Sequence, residues 1–111
     1  MKVVKISELP SEINNESIMK ILFDKKDTGD ERVIFGFIKI QPGSRIPLKG
    51  NGTHDGDEYS IILNGSVLTQ SAGIEYRLSS GEAAFIPANE EHWAYNDGAK
   101  ECEIVWAMIK R

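Results

Sequence analysis

An all-β fold, a small sandwich or barrel of antiparallel sheets, is what this sequence predicts. Three observations predict it. Short β-rich runs recur along the chain, turn signals separate them at close intervals, and no stretch carries the period of a long amphipathic helix. The 111 residues suffice for one domain, 1–111, with one modest core.

Residues 1–16 read as an irregular lead-in, because Pro10 interrupts any helix and Ser11 to Glu16 is mostly polar. A short turn of helix is the most this stretch signals. Residues 17–25 and 31–41 read as strands joined at the turn Asp27-Thr28-Gly29-Asp30, hence a hairpin. Pro42-Gly43 ends the second strand, and a glycine-bearing loop, Lys49 to Thr53, follows. Further strands are expected at 58–63, 66–70, 74–78, 83–86, 92–95 and 102–109. Asn64-Gly65 is the strongest hairpin signal, since both residues tolerate positive φ. Alternation turns Ile74, Tyr76 and Leu78 inward, against Glu75 and Arg77. It likewise sets Ile104, Trp106 and Met108 on one face and Glu103 on the other.

Composition excludes several functions. A formal net charge of -4 is the wrong sign for a nucleic-acid surface, which needs a basic face. The single cysteine, Cys102, can form no disulfide within the chain and reads as a buried thiol in an apolar strand. No run approaches the ~20 apolar residues of a membrane span, and residues 1–10 lack a signal-peptide pattern, so a cytoplasmic protein is the expectation.

The chemistry is carried by two runs, each holding one of the two histidines. His54 is followed by Glu58 and Gly65, while Gly81, Pro87, Asn89, His92 and Asn96 form the second. His54 just precedes a strand and Glu58 begins it, so both can point into a barrel mouth. His92 shares a strand face with Ala94 and Asn96, and Trp93 and Tyr95 face the other way. Two imidazoles and a carboxylate make a donor set with open positions, suited to a reactive metal.

These runs resemble the two motifs of the cupin superfamily. The second has Gly, Pro, His and Asn at the spacings of Gly81, Pro87, His92 and Asn96, with Asn89 where the family has a second Gly. The first ends in His, Glu and Gly at the spacings of His54, Glu58 and Gly65. The resemblance covers residues 33–109 and implies a small single-domain, cupin-2-like barrel. Such a barrel is a double-stranded β-helix, jelly-roll-like, with two antiparallel sheets. It implies His54, Glu58 and His92 as ligands of a divalent transition metal, iron, manganese, zinc or nickel, although the family also has metal-free members. It also implies a homodimer, for which Trp93 and Tyr95 are the candidate interface. Tyr76 and Trp106 are candidates for substrate contact, since ligand pockets are mostly apolar.

One departure stands out. The family's first motif usually opens with a further histidine, and here that position falls on Gly52 or, by another alignment, on Lys49. A replacement oxygen could come from Asp55, Asp57 or Gln70. Asp55 and Asp57 otherwise read as loop acids, and Glu58 as a possible partner of Lys49. The expected function is a metal-binding cupin acting on or binding a small organic molecule. The alternatives are a non-catalytic or metal-free binding module and, less favoured, a metal-free sugar-type isomerase or epimerase using a His base, an acidic partner and a Tyr.

Overall fold

The computed structural model describes residues 1–14 and 17–111. A 3₁₀ turn, Ile6–Glu8, opens the chain, and strand β1 (Glu12–Asn14) follows. The lead-in is therefore less irregular than its polarity suggests, because β1 finds a partner in β2 (Ser17–Phe23). Positions 15 and 16 of the expected lead-in lie outside the described residues. Strand β2 ends at Phe23, two residues earlier than expected. There the Asp24 carboxylate accepts from the Lys26 N–H at 2.9 Å and starts a single helical turn, α1 (Lys25–Thr28). Gly29, at φ 78°, closes that turn and hands the chain to β3 (Val33–Ile40).

The remaining strands are β4 (Arg45–Ile46), β5 (Gly56–Asn64), β6 (Ser66–Ser71), β7 (Ile74–Ser79), β8 (Ala83–Ile86), β9 (His92–Tyr95) and β10 (Cys102–Lys110). They form two antiparallel sheets, in the orders β1-β2-β3-β10-β5-β8 and β4-β9-β6-β7. After β3 the chain changes sheet at most connections, the winding of a double-stranded β-helix. No helix among the described residues is long and apolar enough to cross a membrane.

This winding corrects the hairpin expected at Asn64-Gly65. Gly65 does adopt positive φ, 78°, but β5 and β6 belong to different sheets, so the turn is a corner between them. A Cβ on Gly65 would stand 2.4 Å from the Glu101 carbonyl oxygen, so the corner also needs a residue without a side chain. The two-residue hairpin lies one strand later. Ala72 (φ 50°) and Gly73 (φ 79°) join β6 to β7 with the two positive φ values of a type I′ turn.

The core between the sheets is Ile38, Ile40, Ile62, Val67 and Cys102, flanked by Met19, Ile46, Leu78, Ala94, Ile104 and Trp106. Cys102 is fully buried, and desolvation pushes its thiol up to about 11. An acid whose pKa rises on folding loses its contribution to stability between its ordinary value, 9.0, and the raised one. Stability should therefore decline from about pH 9 to 11. At pH 8 iodoacetamide should leave the native thiol unmodified and alkylate it once denaturant is added. Rapid labelling of the native protein would contradict this burial.

Strand β7 departs from its expected pattern. Tyr76 and Leu78 do face the interior cavity, but Ile74 and Tyr76 are exposed, because β7 is the edge of the smaller sheet. On β10 the expectation matches the structure, with Ile104, Trp106 and Met108 on the cavity wall.

Candidate metal centre and ligand cavity

Between the sheets lies a cavity of about 540 Å³, and His54, Glu58 and His92 stand together on its wall. Each of the three offers a donor atom, and these atoms lie within 4.8 Å of one another. His54 Nε2 and Glu58 Oε1 are 3.7 Å apart, and the two imidazole centroids are 4.9 Å apart at a tilt of 49°. An ion with bonds of ~2.0–2.2 Å holds its donors up to ~4.2 Å apart, so small side-chain rotations bring this set onto one ion. Glu58 faces His54, not Lys49, which sits in an exposed loop.

Backbone pairing brings the two motifs together. The N–H of Gly52 donates to the His92 carbonyl at 2.8 Å, and the N–H of His92 donates back to Gly52 at 3.0 Å. The Asn89 N–H donates to the His54 carbonyl at 2.7 Å, with Asn89 at φ 67°, the left-handed region that Asn tolerates where the family has Gly. Asp57 adds a third tie. It is 6% exposed, accepts from the Ala88 N–H at 2.9 Å and meets Arg111 Nε at 2.8 Å. It is thus a structural strap and not the loop acid that its Gly-flanked position suggests. Asp55 lies nearer that description, exposed and 3.9 Å from Lys110.

The tautomer of His92 follows from its neighbour. Its Nδ1 lies 2.8 Å from the Glu90 carbonyl oxygen, an acceptor only, so Nδ1 carries the proton. In the neutral ring Nε2 then keeps its lone pair, the arrangement a metal-ligating imidazole requires. Donor types, proximity and tautomer all fit a divalent transition metal.

Gly52 is bridged directly opposite His92, so a side chain there would share its face. Ser71 lies opposite His92 on the other side, in β6. The Ser71 hydroxyl donates to the Glu90 carboxylate, which also lines the cavity. Sequence reasoning missed Glu90. Its position two residues before His92, just ahead of β9, was the available signal. Of the proposed replacement oxygens, Gln70 accepts instead from Trp93 Nε1 at 3.1 Å, away from the centre.

The two candidates for substrate contact are both on the cavity wall, Tyr76 at its exposed rim and Trp106 against β3. The Trp106 indole packs against Gly36, where a Cβ would come within 2.2 Å of the ring. Gly36 is the room that the indole occupies. Trp93 and Tyr95 are half-buried and not an exposed aromatic pair, and the Arg45 guanidinium stacks 4.9 Å from the Trp93 ring centroid.

Comparison with known proteins agrees with this geometry. The family description Cupin_2, "Cupin domain", matches residues 36–108. A search of curated proteins returns no sequence match. Among solved structures, a predicted oxalate decarboxylase from Thermotoga maritima superposes with a TM-score of 0.88 at 24% identity, over 99% of this chain and 100% of that one. The polyketide cyclase RemF from Streptomyces resistomycificus gives 0.85 at 22% identity, over 100% of this chain and 80% of that one. The protein TT1209 from Thermus thermophilus gives 0.78 at 23% identity, over 100% and 99%. At these identities the likeness speaks for the fold.

Proposed function

Since this chain belongs to the cupin family, we propose that it is a metal-binding cupin. It holds a divalent transition metal at His54, Glu58 and His92 and takes a small organic molecule into its barrel. The observation that carries this reading is the convergence of the three donors on the wall of the cavity, with the Nε2 lone pair of His92 left free. Bound iron, manganese, zinc or nickel would supply Lewis acidity or a site for dioxygen. The chain's own residues orient the donors, and the apolar walls exclude water from the ligand. Tyr76 and Trp106 serve as contact surface for that ligand.

Gly52 favours a second reading, a non-catalytic or metal-free binding module, because it presents no fourth donor opposite His92. Elemental analysis of protein purified without chelators or metal-affinity resin separates the two. We expect near-stoichiometric iron, manganese, zinc or nickel. Protein that carries no metal, and takes none up on titration, selects the second reading.

We also propose that the protein pairs as a homodimer. Tyr59, Ile61, Leu63 and Phe85, between 41% and 51% exposed on β5 and β8, support this better than Trp93 and Tyr95 do. Light scattering should give about twice 12.4 kDa, and a monomer at tens of micromolar would remove the proposal.

A further inference from the structure

The cavity wall narrows the chemistry of what it can hold, and this inference rests on the metal-binding reading above. Among the residues lining the cavity none is lysine or arginine. The nearby cations are engaged elsewhere. Arg45 donates to the Pro47 carbonyl and stacks on Trp93, Arg77 is forked onto Asp97, and Lys39 lies 3.9 Å from Glu101. Among the described residues, positive charge inside the barrel can then come only from a bound metal and the two imidazoles. Glu58 and Glu90 together already match a divalent charge. A dianion or phosphate monoester would bring two further negative charges into a wall that offers none to meet them.

Hydrogen-bonding groups on the wall are few beside its apolar side chains: the buried Trp106 indole N–H has no partner among the described residues, Ser60 and Tyr76 add hydroxyls, and the other two hydroxyls are engaged. The Thr69 hydroxyl donates to the Trp93 carbonyl at 2.7 Å, and the Ser71 hydroxyl donates to Glu90. A polyol has more hydroxyls than these few groups can meet and would leave most of them unpaired against Ile38, Ile40, Ile62, Val67 and Ile104. Those side chains instead present apolar surface in a volume suited to a molecule of drug-like size.

We propose that the ligand is a predominantly apolar molecule, aromatic or branched, with a single neutral or monoanionic oxygen head. The head lies at the His54, Glu58 and His92 corner and the body against the isoleucine-rich wall. Short dicarboxylates and phosphorylated sugars are excluded.

The test uses the full chain loaded with zinc and four probes: 3-phenylpropanoate, acetate, succinate and glucose 6-phosphate. Affinities are read by calorimetry and by intrinsic tryptophan fluorescence. 3-Phenylpropanoate and acetate share a head, so their ratio reports the body. Burying a phenylethyl group should tighten binding by ~10-fold or more. 3-Phenylpropanoate should also exceed succinate and glucose 6-phosphate by at least tenfold. A smaller margin over any of the three overturns the inference. 3-Phenylpropan-1-ol, titrated into metal-free protein, keeps this outcome apart from the metal reading. If zinc fails to bind but the alcohol binds and changes the fluorescence, the metal assignment is wrong and the apolar cavity stands. If zinc binds and the alcohol does not, the apolar inference fails alone.

Discussion

Replacing Gly52 with His should tighten zinc or manganese binding by more than tenfold, and His92→Ala should weaken it by at least ~100-fold. The second figure exceeds the ~10–100-fold that loss of an outer hydrogen-bond partner costs, because a ligand itself is removed. The argument for Gly52 is geometric. It faces His92 in an antiparallel bridge with hydrogen bonds of 2.8 and 3.0 Å, so an imidazole at position 52 would stand beside that of His92 on the cavity side. Its backbone does not require glycine, for its φ lies outside the left-handed region. An added Cβ would meet Pro47 at 3.6 Å and the His92 carbonyl at 3.9 Å, both ordinary contacts. Loss of His92 leaves one imidazole and one carboxylate, and the bond from Nδ1 to Glu90 that orients the ring disappears with it. Calorimetric titration of wild type and both variants with one metal decides the matter. Equal affinity in all three would place any metal elsewhere on the protein.

The candidate centre was legible because its residues sit at fixed offsets on strands or just ahead of them, and the period of two assigns a face to those within a strand. That suffices for Glu58 on β5 and His92 on β9, while His54 and Glu90 lie two residues ahead of those strands. What the sequence could not show depends on partners distant along the chain. Asn64-Gly65 carries the local chemistry of a hairpin, yet the next strand joins the other sheet, and only long-range pairing decides that. Ile74 alternates like a core residue, but β7 has no neighbour beyond it, so the side chain is 57% exposed. Asp57 looks like a turn acid because its partners, the Ala88 amide and Arg111, are about thirty and fifty residues away in sequence. Alternation along β9 gives Trp93 and Tyr95 their face, but Arg45 and Gln70, which stack on or bond to Trp93, arrive from other strands.

Asn96→Asp should unfold the protein or leave it only marginally folded at neutral pH, although it changes a single side-chain atom. Asn96 is fully buried just after β9. Its amide donates 2.8 Å bonds to the carbonyls of Ile40 and Lys100, and its carbonyl oxygen accepts from the Gly98 N–H at 3.0 Å. Both partners of the nitrogen are acceptors, so the orientation of the amide is fixed. Its backbone pairs as well, accepting from Gly43 at 2.7 Å and donating to Ser44 at 3.0 Å. One side chain thus ties the end of β3 to the turn before β10, next to the fully buried Ile40 and Cys102. An aspartate keeps the bond to Gly98 but turns a carboxylate oxygen toward two carbonyl oxygens, so the group must be buried as an unpaired charge or take up a proton. Asn96→Ala leaves two acceptors without a donor, at ~1–3 kcal/mol each, a loss of about 2–6 kcal/mol. That is a large share of the ~5–15 kcal/mol by which small domains are stable. Chemical denaturation should therefore rank wild type above Asn96→Ala and Asn96→Ala above Asn96→Asp. Because neutralising the aspartate relieves the conflict, Asn96→Asp should recover stability relative to Asn96→Ala as pH falls. A stability for Asn96→Ala within about 0.5 kcal/mol of wild type, well below the cost of one unmet acceptor, would show that this motif residue does not hold the barrel closed.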